Sequence, residues 1–406
     1  MRRFIGGRVV VLLVVSSLIA AACSSGTSPS DLIQVRERHT ATLLENGQVL
    51  VVGGGSSTPE SLVVLSSAEL YDPATGWSPA GVTSQGREEH TATLLSDGRV
   101  LVAGGGIGQV IPNVISPLAT AEVYDPATNT WTQTGSMKEM RDRHTATLLA
   151  DGRVLVVGGG GESTPESEVV LSSAELYDPS TGTWFDAASM AEPRSDHTAT
   201  LLTDGRVVVT GGDSSGGSAE VYDPSSDSWS SAGSMSEERE DHTATLLDDG
   251  RVLVVGGRGA DEDQVLASVE VFDPATGSWS AASAMGENRS DHAAILFDGG
   301  RVLIVGGIDE DNHTYSSTEI YNPSTGSWTK SGKIRKAREE HSATLLADGK
   351  VLIAGGAGEG GERPALTEVF DPRLTIGCQQ PSSGEVSAMA EPTANPALLA
   401  PVGCRT

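Results

Sequence analysis

Lysine is nearly missing from this 406-residue chain: five lysines stand among 27 basic residues, against 54 acidic ones, and the formal net charge is -27. A nucleic-acid binder needs a basic face, because phosphate contacts supply most of its affinity. This balance therefore argues against nucleic acid as a partner. It keeps the chain soluble and repels anionic membrane surfaces unless a covalent group holds it there. The one dense basic cluster, Lys330, Lys333, Arg335, Lys336 and Arg338, runs straight into Glu339 and Glu340 and reads as a solvated loop. Aromatic residues are scarce at 4%, and no cysteine stands between residues 24 and 377. HExxH, CxxC and P-loop patterns are absent, which removes the chemistries that those spacings serve. No metal and no cofactor is expected. Glycine is the opposite case, with 49 residues, and the Gly, Ser, Thr and Val bias favours short strands and tight turns. Hydrophobic residues, at 38%, are enough to bury a core. Length alone allows two or three domains, unless the chain repeats.

Arg2, Arg3 and Arg8 precede an apolar run, Val9 to Ala22, that is too short to span a bilayer as a permanent helix. The run ends Leu18-Ile19-Ala20-Ala21-Ala22-Cys23, followed by Ser24, Ser25 and Gly26. It resembles the bacterial lipoprotein signal, with Ala20 where leucine is usual. The resemblance implies that residues 1–22 are a signal peptide and that the Cys23 thiol is acylated. Ordinary signal cleavage beside the same alanines is the alternative. An acyl chain would anchor the domain by about 0.8 kcal/mol per buried methylene. Residues 23–35 then read as the lipidated cysteine and its tether. Outside the cytoplasm the remaining even pair, Cys378 and Cys404, is expected to form a disulfide. In the chain-entropy model such a loop closure contributes roughly 3 kcal/mol.

Seven copies of one pattern run from about residue 36 to 372. The second reads Arg87-Glu-Glu-His90-Thr-Ala-Thr-Leu-Leu-Ser-Asp97-Gly98-Arg-Val-Leu-Val-Ala-Gly104-Gly105, then Ala121-Glu122-Val-Tyr124-Asp125-Pro126 and Trp131. The register histidines, His39, His90, His144, His197, His242, His292 and His341, recur every 45 to 54 residues. A period near 50 built from strands reads as one four-stranded blade per repeat. His-Thr-Ala-Thr-Leu-Leu suits a first strand, A, and Asp-Gly predicts a two-residue hairpin with both turn residues at positive φ. Arg-Val-Leu-Val-Val is nearly continuous in apolar residues and reads as a buried strand B. The Gly pair ends it where bulky side chains would not fit. Glu-Val-Tyr is strand C, Asp-Pro-Ala-Thr-Gly a turn, and Trp-Ser-x-Ala-Gly-Ser-Met strand D.

The run from Arg and His through Gly-Gly, Tyr-Asp-Pro and Trp resembles the kelch repeat. The resemblance implies an all-β fold: a seven-bladed β-propeller of four-stranded antiparallel blades over residues 36–392. The His-Thr-Ala-Thr-Leu-Leu-x-Asp-Gly-Arg-Val-Leu form is also similar to the propeller of galactose-oxidase-like enzymes. That family uses copper with Tyr and His ligands and a Tyr–Cys cross-link, for which this chain has no propeller cysteine. The likeness is therefore expected to extend to the propeller and not to that catalyst or to the family's C-terminal Ig-like domain. The last repeat lacks its Trp after Phe370-Asp371-Pro372. Ser387-Ala388-Met389-Ala390-Glu391-Pro392 echoes Ala188-Ser189-Met190-Ala191-Glu192-Pro193, so the last strand D is placed near residues 384 to 390, with Asp31 to Val35 as the alternative. Residues 393–406 read as an irregular tail.

The seven arginines three residues before the histidines, Arg36, Arg87, Arg141, Arg194, Arg239, Arg289 and Arg338, are the ligand-binding candidates. They would form a ring of guanidinium forks at one channel mouth, fit for acidic peptides or sugar carboxylates. In the scaffold reading each pairs with acids of its own repeat or with the strand C glutamate, such as Glu122, and identity in every blade favours scaffold. The same argument makes the histidines structural and the six tryptophans wedges between blades. The acidic loops 261–263 and 309–312 lack EF-hand spacing. Gly212-Asp213-Ser214-Ser215-Gly216 fits a nucleophile elbow without the helix that it requires. No catalytic residue is assigned. The B–C connections differ most, and such insertions gather on one face, often the binding face. The sequence thus predicts a monomeric, non-catalytic recognition or scaffold module, lipid-anchored on the extracytoplasmic side of a bacterial membrane. Its partner would be an extracellular or periplasmic protein or glycan. A carbohydrate-processing enzyme, mutarotase or sialidase-like, and a structural subunit of an envelope assembly are the alternatives.

Overall fold

Val100, Leu101, Val102 and Ala103 are all buried, and they face two different neighbours. Val100 and Val102 pack with Leu50 and Val52 of the preceding repeat, and Leu101 and Ala103 with Val154 and Val156 of the next. A strand covered on both faces must be apolar throughout, which is why strand B does not alternate. The computed structural model describes residues 31–375, apart from 59–60, 109–115, 163–168, 213–216, 262–263 and 363–365. Cys23, Cys378, Cys404, the 384–390 segment and the 393–406 tail lie outside the described residues.

Each repeat is an antiparallel sheet whose strands follow chain order. In the second blade these are A (Thr91–Leu94), B (Val100–Ala103), C (Ala121–Asp125) and D (Thr130–Gln133). Six such four-stranded sheets are present, and Ser342–Leu345, Val351–Ala354 and Glu368–Phe370 form three strands of the seventh. The A strands neighbour one another in a closed circle, the last (Ser342–Leu345) lying against the first (Thr40–Leu43). The fold is a seven-bladed β-propeller with the A strands around the central channel.

Between the blades, each tryptophan reaches back to its predecessor. Trp131 Nε1 donates to the Ala80 carbonyl at 2.8 Å, and Trp77 Nε1 donates to Thr367 Oγ1 at 3.0 Å, joining the first blade to the last. Each also lies on the strand C aromatic of its own blade, as Trp131 does on Tyr124 at 5.1 Å between ring centroids. Leu32, four residues before Arg36, packs on Leu346, Leu352 and Val369 of the last blade and on Val49 and Val51 of the first. Met137, four residues before Arg141, sits in the same way between the second and third blades. The segment at Leu32 therefore works as the connector entering blade 1, and the described residues of the seventh blade form three strands.

The A–B hairpin differs from the two-residue turn expected. Leu95 N donates to Arg99 O at 2.8 Å and Gly98 N donates to Leu95 O at 3.0 Å, so three residues form the loop. Only Gly98 has positive φ, 84°, as in a three-residue hairpin that ends in a left-handed glycine. Asp97 instead ties down the far side of the turn, where its carboxylate accepts from Arg99 N at 3.1 Å and from Arg99 Nε at 2.8 Å. The basic cluster is a loop only in part. Lys330 and Lys333 are exposed on strand D of blade 6 (Ser327–Lys333), Arg335 and Lys336 follow it, and Arg338 turns inward.

Candidate functional site

The arginine ring expected at the channel mouth lies inside the blades instead. All seven arginines have 0% accessibility. Arg87 Nη1 donates to Gly104 O at 2.7 Å and to Thr120 O at 3.2 Å, and its Nη2 donates to Glu122 Oε1 at 3.1 Å. Arg36, Arg141, Arg194, Arg239, Arg289 and Arg338 repeat this set with Glu69, Glu175, Glu220, Glu270, Glu319 and Glu368. The physical reason is the buried strand C glutamate, which needs a compensating charge. It also accepts backbone N–H groups of the incoming connector, as Glu122 does from Ser84 at 3.0 Å. These guanidinium groups are braces and cannot reach a ligand. The first Gly of each pair makes room for the same connector. A Cβ on Gly53, at φ +60°, would stand 2.3 Å from the Arg87 carbonyl oxygen.

The histidines are buried between blades. Thr40 Oγ1 meets His90 Nε2 at 2.9 Å, and the same Thr-to-His link joins blade 2 to 3 (Thr91, His144), 3 to 4 (Thr145, His197), 4 to 5 (Thr198, His242) and 5 to 6 (Thr243, His292). Burial, reinforced by the neighbouring arginines, pulls His39, His197 and His292 down to about 3.

Two residues separate each arginine from its histidine, and what does line the mouth is the second of the two in every blade, joined by the first in blades 1, 5 and 7 (Glu37, Glu240 and Glu339). The second of the pair has positive φ in every blade, 49° to 53°, although none is glycine: Arg38, Glu89, Arg143, Asp196, Asp241, Asp291 and Glu340. Their backbones form a closed belt. Glu89 N donates to Arg38 O, Arg143 N to Glu89 O, and so on around to Arg38 N and Glu340 O, each at 3.1 to 3.3 Å. In six blades the first of the pair bridges the base of its B–C connection, as Glu88 does with Gly106. The belt and the variable connections therefore share one face of the propeller, and the A–B hairpins occupy the other.

Above the belt is a cavity of about 870 Å³, rimmed by the connections of blades 5 to 7 at Arg258–Ala260, Ile308, Asn312, Thr314 and Ala357–Gly360. Ten carboxylates and three arginines line it. Arg143 Nη1 is 3.2 Å from Asp196 Oδ2, Arg258 Nη2 is 3.1 Å from Asp291 Oδ2 and 3.5 Å separates its Nε from Asp241 Oδ2, and Arg38 Nε is 2.8 Å from Glu340 Oε1. Three cations do not neutralise the ring. Burial first, and then like charge from Glu89, pushes Glu88 up to about 7. Burial likewise holds Asp196, Glu339 and Glu340 at about 7, and raises Asp241 well above the carboxylate range. Sequence reasoning noted these acids but assigned them to the arginines. The signal that separates them is their variation from blade to blade, while the strand C glutamate never varies.

The remaining sequence candidates are not brought together. In the 309–312 loop, Asp309 Oδ1 accepts from the backbones of Asp311 at 3.0 Å and His313 at 2.8 Å, which is a local turn. Ser214 lies outside the described residues. Among the described residues, no three His, Cys, Asp or Glu side chains are grouped to hold a metal ion. The donors of a galactose-oxidase copper centre are not assembled there either. Six of the seven register histidines face hydroxyls across blade boundaries, five of the tyrosines lie on tryptophans, and Tyr315 donates to Asp309 at 3.3 Å.

Known proteins resemble the chain in the same terms. A solved fungal alcohol oxidase of the AA5 family, in complex with copper, superposes with a TM-score of 0.68 at 21% identity, over 86% of this chain and 76% of that one. Spermatocyte protein spe-26 of Caenorhabditis elegans is 30% identical over 122 residues, 30% of this chain and 20% of that protein. Galactose oxidase of Gibberella zeae is 25% identical over 145 residues, 33% of this chain and 21% of the enzyme. Kelch-like protein terF of Aspergillus terreus is 29% identical over 130 residues, 31% and 27% of the two chains. The chain thus spans between a fifth and just over a quarter of these curated relatives' lengths. The KLHDC2/KLHL20/DRC7 Kelch-repeats domain matches residues 10–212 and 186–356. With that match over most of its length and seven blades of the expected make, the chain belongs to the kelch-repeat family.

Proposed function

We propose that the chain is a non-catalytic recognition or scaffold propeller of the bacterial cell envelope, held to the membrane through Cys23. It binds an extracellular or periplasmic protein or glycan through the B–C face and the channel mouth. One observation carries this reading: the belt keeps the same backbone in seven blades while its side chains change from Arg38 to Glu89 to Asp196. A frame that fixes the backbone and frees the side chain is what a binding surface requires, and fold alone assigns no activity. The test is retention of envelope proteins or a glycan panel by the purified mature chain. Binding at micromolar concentration is expected, weakened by substitutions on the B–C face and untouched by substitutions at the A–B hairpins. Retention of nothing would contradict the reading.

The second reading is a carbohydrate-processing enzyme, mutarotase or sialidase-like, and the likeness to galactose oxidase favours it. It requires turnover of a sugar that is lost on changing one non-repeated residue of the mouth.

A further inference from the structure

We propose that residues 25–30 form the fourth strand of the seventh blade, which fixes the lipid-bearing Cys23 at the A–B end of that blade and turns the B–C face away from the membrane. The second half rests on the recognition reading above and adds how its binding face is presented. Strand C of the seventh blade, Glu368–Phe370, is paired on one side only among the described residues, whereas strand C of the other six blades has a partner on each side. An open edge of this kind is a template for another strand.

Register identifies the occupant. In blades 1, 4 and 6 strand D has seven residues, Gly76–Val82, Ser228–Ser234 and Ser327–Lys333. Each ends directly before Thr83, Met235 or Ile334, which stand four residues ahead of Arg87, Arg239 and Arg338. Leu32 holds that place ahead of Arg36 and packs between the last blade and the first. Ile33 N and Gln34 N donate to Glu69 at 2.7 and 3.1 Å, as Lys138 N and Glu139 N donate to Glu175 at 2.7 and 3.2 Å. The chain leading into Leu32 therefore arrives from the slot beside Glu368–Phe370, and residues 25–31 match the length of a strand D. Pro29 falls in the place of Ala80, at the bulge between Pro79 and Val82, where proline is tolerated.

The chain leaving strand C is not directed into the same slot. In the other six blades the residue four after the strand C Asp or Asn has positive φ and reverses the chain into strand D: Gly76, Asn129, Gly182, Asp227, Gly277 and Gly326. In the seventh, Thr375 stands there, at the end of a short helix, Pro372–Thr375, that lies against strand D of blade 6. The later echo at residues 387–392 does not fit either, because its Met389 matches Met190, and Leu32 already fills that place in the seventh blade. Strand D begins on the A–B face, where Gln48 Nε2 of the A–B hairpin donates to Asp72 Oδ2 of the C–D turn at 3.2 Å. Cys23, two residues ahead of the strand, then stands where Ala74 stands in blade 1, and an acyl chain there holds the A–B face to the bilayer.

The experiment is amide hydrogen exchange on the full mature chain, read by mass spectrometry. Residues 25–30 are expected to exchange about a hundredfold or more slowly than an unstructured peptide, and residues 384–390 at the rate of one. Protection of 384–390 with 25–30 unprotected would overturn the proposal and give the slot to the C-terminal segment. Protection of neither would also overturn it, leaving the edge to a second copy or a partner's strand. The orientation is read on phosphatidylcholine vesicles that carry a nitroxide-headgroup lipid. A fluorophore is placed on Asp348→Cys, in the A–B hairpin of blade 7, or on Glu359→Cys, at the rim of the mouth, with Cys378 and Cys404 replaced by serine. Severalfold stronger quenching at position 348 is expected. Equal quenching, or stronger quenching at 359, would overturn the orientation and leave the recognition reading to its own ligand test. Should residues 25–30 be protected while the vesicles hold no protein, the lipid anchor of that reading falls and the strand stands.

Discussion

His39 Nε2 and Ser342 Oγ stand 2.9 Å apart across 303 residues of chain. The contact is the closing member of the hydroxyl-to-histidine series that runs around the channel. One link in the series is broken. Ala293 occupies the place that threonine holds in the first five blades, and both ring nitrogens of His341 are left without a hydrogen-bond partner.

Ala293→Thr should therefore stabilise the protein by about 0.5–1.5 kcal/mol, the net value of one hydrogen bond to a previously unsatisfied group. Thr243→Ala, which breaks the corresponding link to His292, should destabilise it by about 1–3 kcal/mol, because a buried group loses its partner. Urea unfolding measures both. Equal and small effects of the two substitutions would show that the links carry no energy.

The buried ion pairs and the hairpin ion pairs should respond very differently. Glu122→Ala leaves the Arg87 charge without its ion-pair partner at 0% exposure and should cost about 3–5 kcal/mol. Asp151→Ala removes an ion pair whose side chains are 36% and 46% exposed, and should cost about 1 kcal/mol or less. Denaturant midpoints at neutral pH give the comparison, and losses of similar size would contradict the bracing role of the arginines.

Stability should respond to acid in two stages. The register histidines are held neutral by burial, so as pH falls below their ordinary value of 6.5 the unfolded chain takes up protons that the folded chain refuses, and stability falls. Glu88, Asp196, Glu339 and Glu340 act in the opposite sense. They titrate at about 7 when folded and near 4 when unfolded, so between those values acid favours the folded state. The carboxyl trend offsets the histidine trend only in part down to about pH 4.5, because seven histidines are held neutral; below that pH the histidine trend is joined by hairpin aspartates such as Asp97 and Asp249, which hydrogen bonds from Arg99 and Arg251 hold below their ordinary range. Melting temperature should fall gently from pH 6.5 to 4.5 and steeply below. A steep drop beginning at pH 6 would mean that the mouth carboxyls titrate as ordinary ones.

Cys23→Ala should release the protein from membranes into the soluble fraction on ultracentrifugation, because the anionic domain has no affinity of its own for an anionic bilayer. Continued tight attachment would refute the lipid anchor.

The frame was legible because its signals are local and repeated. Val-Leu-Val-Val reads as a strand covered on both faces, and Val100–Ala103 is one. The Gly pair reads as a place without room, and Gly53 and Gly54 have none. The hairpin was misread because Asp-Gly serves two turn types, and the backbone pairing of Leu95 with Arg99, which the dipeptide does not encode, tells them apart. The arginines were half legible. Their constancy marked them as scaffold, but which acid each one meets depends on strand C folding back 35 residues later in the case of Arg87 and Glu122. The belt was not legible at all. Positive φ at Arg38, Glu89 or Asp196 leaves no mark in the residue type, because the closed ring of backbone hydrogen bonds imposes it and the side chains do not.

The claim on which the rest depends is that ligand meets the B–C face. Photo-cross-linking in intact cells addresses it most directly, with the reactive group placed at Asn312 beside the mouth or at Asp204 on the A–B face of the full chain. Adducts from position 312 and none from 204 are predicted. Adducts from 204 alone, or equally from both, would contradict it.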